Sequence, residues 1–411
     1  MNERGYQGEI ARFHRPASVL LSLIWPVFGG FRDLFDYPRS RIAAGFVIFC
    51  AYAGWTFVPI PGSDAFNFAA EIDVARQGLP TMIPEPLLSF LVYFVANAGL
   101  PESAYFIILS IFYGLIMSAV LWLLFRGVPV GVPISHAAWF FYLAFVLNYP
   151  VFASVAARYH LGLWDMMLAT LLLLDGRWRL AFLVGLIGFT IHFGFSIFLA
   201  AMLMLFATRG MGKRQIMIAY VLLAISFALP TNLIEIVGRE LTGIFGGNFG
   251  NKIASSVKYA QNTEFGTKIG SGGESWFLRY YTQVILYALL VSAQILWLGV
   301  RHMPRDRHYV LWALVLFMWV MKNIVGGDPE AAGRIGRNMT ALLLLFHASW
   351  FIEKRPGAAR SIMITAFPIL YYYIVYYRIW LEQASMASLL PLPWGVFRDE
   401  LPRAMQPFFG G

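Results

Sequence analysis

The feature that most constrains this chain is a succession of apolar runs, each near the length of a membrane-crossing helix and bounded by short clusters of Lys and Arg. A helix rises 1.5 Å per residue, so about 20 apolar residues cross the roughly 30 Å of bilayer hydrocarbon. Runs at residues 41–59, 103–125, 134–153, 159–174, 214–230, 277–300, 308–325, 338–352 and 361–380 meet or approach that length. The shorter ones fit through tilt, snorkelling or local thinning. The bilayer core holds no water, so backbone there must satisfy its own hydrogen bonds. The expectation is an all-α, polytopic integral membrane protein of roughly 9–11 transmembrane helices plus re-entrant or half-helices.

Composition excludes the soluble classes. Only 13% of the 411 residues are charged and 59% are hydrophobic, whereas soluble domains are about 25% charged. The apolar runs persist to the end, so residues 1–411 read as a single transmembrane domain. Within it, 1–40 forms a cytoplasmic or interfacial N-terminus, 231–276 a large external loop rich in Gly, Asn and Ser, and 381–411 an external tail. The lone Cys50 excludes a disulfide framework and a Cys-based metal site, and no metal or other cofactor is expected. The net charge of +9 is dispersed between the apolar runs, which suits membrane topology and argues against a nucleic-acid partner.

Lys- and Arg-rich short loops face the cytoplasm. Placing 1–41, Arg126, Arg177 with Arg179, Arg209 with Lys213 and Arg214, 301–307 and 354–360 inside leaves 60–102, 154–158, 231–276, 326–337 and the tail outside. The assignment closes only if three apolar segments do not cross. Residues 17–31 are too short and lie at the cytoplasmic interface. Residues 86–99 form a re-entrant or external half-helix. Residues 180–207 carry cations at both ends, so one crossing would put one cluster on the wrong side. Two half-helices meeting near His192, Phe193 and Gly194 resolve this. Such a break at membrane depth must be buried in protein or line a watery cavity, and the expectation is a cavity beside His192.

No soluble catalytic signature is present, and the ionisable residues on the predicted external face carry the candidate chemistry. Arg158 and Arg279 each open a span and read either as interface anchors or, with Arg334 and Arg337, as a group set against the positive-inside bias. The arginine fork suits phosphate. The cluster Asp328, Glu330, Arg334 and Arg337 is either an ion-paired loop or an anion site before a helix N-terminus. His192 is either a satisfied core histidine or a general base facing a cavity; His160 is a second base candidate. Asp64, after Pro61 and Gly62, is either a helix N-cap or a carboxylate that orients or deprotonates an acceptor, with Phe66 and Phe68 stacking on a sugar ring.

In the stretch AARYHLGLWDMMLATLLLLDGRWRLAFLVGLIGFTIHFGFS the chain resembles the EpsG-type polysaccharide polymerases, relatives of the Wzy O-antigen polymerases. An external Asp followed by an aromatic, an Arg opening a helix and an Ile-His-small/aromatic-Ser motif about thirty residues later mark that family. Asp64, Arg158, His192 with Ser196, and the late Arg334 and Arg337 occupy those places here. The resemblance covers residues 41–210 and, more loosely, the remainder. It implies a GT-C-like polymerase architecture in the bacterial inner (cytoplasmic) membrane, with the external loops and active site facing the periplasm. It also implies a glycosyltransferase joining undecaprenyl-diphosphate-linked oligosaccharide repeat units. Arg158, Arg279, Arg334, Arg337, His160, Asp328 and Glu330 would bind substrate, and His192 or Asp64 would be the base. Its partners would be those lipid-linked glycans, membrane lipid, and other polysaccharide export or chain-length proteins. A transporter or flippase of a lipid-linked or anionic solute is the alternative, since broken helices and intramembrane charge also mark transporters. A membrane acyltransferase would also use a histidine with a nearby carboxylate, but the cytoplasmic-side histidine context is lacking.

Overall fold

Backbone groups inside an apolar environment pair within their own segment most readily as helix, and the chain follows that rule throughout. The computed structural model describes residues 19–59, 64–148, 150–152, 158–211, 213–229, 276–299, 307–325, 329–381, 389–391 and 393. Among the described residues there is no strand. The helices are α1 Pro26–Ser40, α2 Ala44–Trp55, α3 Asp64–Arg76, α4 Pro86–Asn97, α5 Glu102–Phe125, α6 His136–Leu147 and α7 Arg158–Leu174. There follow α8 Trp178–Ile191, α9 Ser196–Ala207, α10 Lys213–Ala228, α11 Trp276–Leu298, α12 Arg307–Ile324, α13 Pro329–Ile352 and α14 Ala358–Leu381. Three of them, over Glu102–Phe125, Tyr280–Leu298 and Ala358–Val375, are long and apolar enough to cross a membrane by length and composition.

Several boundaries follow from local chemistry. Pro26 and Pro86 open α1 and α4, where a missing N–H costs nothing and φ is already helical. Ser135 Oγ accepts the Ala138 N–H at 3.2 Å and caps α6, which ends at Leu147 ahead of Pro150. The run expected at 134–153 is thus a 12-residue helix. The segment 60–102, expected as a loop, contains α3 packed against α4, and α4 at 12 residues is half-helix length. Residues 326–337, also expected as a loop, are largely helical, because α13 begins at Pro329. The expected 231–276 loop lies outside the described residues but for Trp276, which opens α11.

Where the sequence reads as one domain, the chain packs as two compact units. The first comprises Met1–Phe195, Ile352–Lys354 and Tyr376–Gly411. Its centre is α2 on α5, with α1 against α2, α7 against α5 and α8 against α7. Gly54 lets α2 approach α5 directly: a Cβ there would lie 2.5 Å from the Phe106 carbonyl oxygen, the close approach that small residues permit between apolar helices. Three basic clusters gather at one end of this unit. Arg126 and Arg177 share the Asp175 carboxylate, and Arg41 Nη2 donates to the Val128 carbonyl at 3.0 Å. Since α7 runs toward that end and α8 away from it, Arg158 and His192 lie toward the opposite one.

The second unit comprises Ser196–Phe351 and Arg355–Val375, with α12 packed on α9 and α10. Two buried histidines tie its helices together. His347 Nδ1 meets the Leu343 carbonyl at 2.7 Å and its Nε2 meets Ser292 Oγ at 2.9 Å. His308 Nε2 meets Ser349 Oγ at 3.0 Å. Buried polar groups require such partners, and both rings are satisfied helix-to-helix contacts.

At the start of α2 the N-cap residue Ala43 offers no side-chain acceptor. Asp33, from α1, supplies one: its Oδ2 accepts the Gly45 N–H at 2.6 Å. Burial pushes the Asp33 carboxyl above its ordinary value, and the Gly45 and Phe46 amides pull it down by less. A raised folded-state value means that this group's contribution is complete below the unfolded value of about 3.9 and is lost as pH rises through the folded one. Asp33→Asn keeps an acceptor without the charge. Its melting temperature in detergent should therefore equal or exceed the parent's at pH 8, an advantage that shrinks on acidification. Asp33→Ala should cost about 1–2 kcal/mol at low pH, as loss of a cap does, and less as pH rises through the folded-state value.

Candidate functional site

A helix continuing through 180–207 would pair the Gly194 N–H with the Thr190 carbonyl four residues back. Instead, His192 Nδ1 takes that N–H at 2.9 Å, and His192 itself is extended at φ −155°, ψ 115°. A side chain that offers the backbone an alternative acceptor competes with the helix. The result is a break: α8 ends at Ile191, a single 3₁₀ turn covers Phe193–Phe195, and α9 starts at Ser196. The 14 residues of α8 and 12 of α9 are each well short of the roughly 20 needed to cross.

The sequence places a watery cavity beside His192. His192 is 6% exposed, with Tyr159 and Phe195 edge-on to its ring at 5.8 and 5.9 Å. Tyr159 stacks on Phe195 at 5.4 Å and meets His160 edge-on at 5.4 Å. The fold therefore brings together His192, His160 and the first turn of α7, which Arg158 opens. The Arg158 and Arg279 side chains lie outside the described set, as do Asp328 and the Glu330 side chain. Asp64 is exposed at the first position of α3, where the helix dipole favours a carboxylate. Phe68, one turn on, is buried against Tyr105 at 5.7 Å.

The contact with Gly194 bears on the chemistry of His192. With Nδ1 accepting, the neutral ring carries its proton on Nε2, so the remaining nitrogen is a donor. Deprotonating an acceptor through Nδ1 would first require releasing the Gly194 amide. The geometry suits His192 to donating a hydrogen bond and holding the break.

One residue of this region escaped sequence reasoning. Asp165 on α7 is 3% exposed and its Oδ2 has no hydrogen-bond partner among the described residues. It fits against α8 because residue 188 is glycine: a Cβ there would lie 2.7 Å from Asp165 Oδ2. An acidic residue inside LGLWDMMLATLLLL was the signal available, since intramembrane carboxyls are costly and tend to be functional.

In the second unit, Arg334 and Arg337 lie on α13 itself and not in a loop before it. At spacing i, i+3 they share a helix face. Lys322, from the last turn of α12, packs on the Gly336 side of α13: a Cβ on Gly336 would be 3.8 Å from Lys322 Cε. Lys322 is partly buried and makes no hydrogen bond or ion pair among the described residues. Arg337 is close enough to Tyr281 for its charge to act on the phenol, and Tyr281 stacks on Tyr372 at 5.6 Å. Within the aromatic run from Tyr371, the Tyr372 ring is buried. Lys322 was also missed; a lysine at the external end of a span was its signal.

No family model, curated protein or solved structure matches the chain.

Replacing Gly188 tests the α7–α8 contact. Gly188→Val should destabilise the protein by about 1–3 kcal/mol, as overpacking does. Asp165→Ala should relieve most of that clash, so the double variant should unfold at a higher temperature than additivity of the two singles gives. Additive effects would mean that Asp165 and Gly188 do not touch.

Proposed function

We propose that this chain is a polysaccharide polymerase, a glycosyltransferase of the bacterial inner membrane that joins polyprenyl-diphosphate-linked oligosaccharide repeat units at the periplasmic face. The observation that carries the reading is the helix break at His192, held against the first turn of the helix that Arg158 opens. Those are two of the motifs on which the resemblance to EpsG-type and Wzy-like polymerases rests. Topology adds support: the basic clusters around Arg41, Arg126 and Arg177 share one end of their unit, as cytoplasmic clusters would. A multi-pass, GT-C-like arrangement follows on this reading.

The reaction needs no metal or nucleotide sugar. The acceptor hydroxyl of a new lipid-linked repeat loses its proton and attacks C1 of the donor's terminal sugar. The C1–O bond breaks, and the lipid diphosphate leaves with the electron pair. Asp64 is the better base in this scheme, because it is exposed while the His192 acceptor nitrogen is engaged. His192 then orients and donates through Nε2, beside His160. Fixed cations stabilise charge that develops on a leaving diphosphate, and Lys322, Arg334 and Arg337 are the described candidates. Arg158, Arg279, Asp328 and Glu330 stay in the proposed substrate-binding set on the sequence argument.

Purified protein incubated with lipid-linked repeat units should give a ladder on a gel; import of the same lipids without a ladder would make it a transporter or flippase. Asp64→Asn should lower elongation by about 100- to 10,000-fold, the usual worth of a general base. Loss in His192→Ala with full activity in Asp64→Asn would return the base role to His192.

Alanine at Lys322, Arg334 or Arg337 should each reduce polymer without loss of membrane-inserted protein. Arg334→Lys and Arg337→Lys should recover only part, since lysine lacks the bidentate fork. Undiminished ladders in all three alanine variants would make these cations structural.

A further inference from the structure

A cavity of about 90 Å³ lies within the first unit, away from His192. Its walls come from α1 (Phe31, Leu34), α2 (Phe49), the end of α6 (Leu147) and the segment after it (Val151), and they carry no charged side chain. Apolar cavities of this order stay dry and take hydrocarbon. Water and peptide are therefore poor occupants.

The amphipathic α1 shows what could reach it. One side of the helix is buried through Val27, Gly30, Leu34 and Tyr37. The other side is apolar yet exposed: Phe28, Phe31 and Phe35 are 58%, 41% and 50% exposed. Phe31 belongs both to that row and to the cavity wall, so the cavity adjoins the apolar surface of the helix. Two turns beyond Phe31, roughly 12 Å along the axis, the same row ends in Arg39. Arg39 is exposed and makes no hydrogen bond or ion pair among the described residues. A hydrocarbon surface ending in an unpartnered cation complements a lipid with an anionic head and an apolar tail.

We propose that this cavity takes a few methylenes of one acyl chain of an anionic membrane phospholipid, whose phosphate is held by Arg39. The site is separate from the glycosyl-transfer residues proposed above and does not depend on that reading. It makes α1 a lipid-clamped helix, stably seated only in a bilayer that contains anionic lipid.

The test uses the full chain in nanodiscs holding phosphatidylglycerol with a diazirine on the acyl chain, followed by illumination and peptide mapping. Label is expected on the segments around Phe31–Leu34 and Leu147–Val151, besides the lipid-facing Phe112 and Leu115 of α5. Val151→Trp, and independently the milder Leu147→Phe, should remove the first two labels and leave the α5 labels unchanged. Arg39→Gln, which changes only an exposed group, should lower cavity labelling about five-fold, the loss of one surface cation's attraction to an anionic lipid. Equal labelling by a phosphatidylcholine probe, insensitivity to both filling variants, or displacement by a polyprenyl phosphate but not by unlabelled phosphatidylglycerol would each overturn the proposal.

Discussion

A backbone amide surrounded by hydrocarbon must find an acceptor, and in this protein that requirement shapes both the scaffold and its exceptions. Where the sequence continues without interruption, the acceptor is the carbonyl one turn back, and the result is helix. Where a helix begins without its own cap, a side chain from a neighbour fills the role, as Asp33 does for Gly45. Where a side chain within the run offers a competing acceptor, the helix stops, as His192 does by taking the Gly194 N–H. These are one physical demand answered three ways. The third answer is the one that produces a site, because it leaves a polar ring and a short non-helical segment among aromatic neighbours.

The same demand explains why some buried polar residues are inert and others are candidates. His347 and His308 sit deep in the second unit, yet serine hydroxyls meet their ring nitrogens and the Leu343 carbonyl meets the second nitrogen of His347. They are satisfied and sealed, and their value is helix-to-helix specificity. Asp165 is buried too, set against Gly188, but its Oδ2 makes no hydrogen bond by geometry among the described residues. Lys322 packs against Gly336 and makes no hydrogen bond or ion pair of its own among the described residues. Burial alone does not separate these cases. The partner inventory does.

Aromatic packing sets the local geometry of the break. Tyr159 stacks on Phe195 while His192 stands edge-on to both, so the start of α7 and the turn after α8 are held by three rings from two segments. Gly162 contributes by absence: a Cβ there would lie 2.5 Å from the Phe195 ring. The glycines of α7 and α8 therefore read as packing devices for the Phe195 ring and the Asp165 carboxyl.

By itself the sequence determined that the chain is helical and apolar, where its basic clusters fall, and that the 180–207 run breaks at His192. Each of these is local: run length, charge at the ends of a run, and a histidine two residues before a glycine all act within a few residues of themselves. The start of α13 at Pro329 was missed because two glycines and a proline resemble a loop until the helix they join is packed. The tertiary structure alone decided that Arg41, Arg126 and Arg177 share one end of a unit, that Asp165 fits against Gly188, and that Lys322 packs against Gly336 of the helix that carries Arg334 and Arg337. It also decided that the His192 acceptor nitrogen is engaged and its ring packed among aromatics. These facts depend on which faces of separate helices meet, and hydrophobic runs this uniform carry little directional pattern to say so.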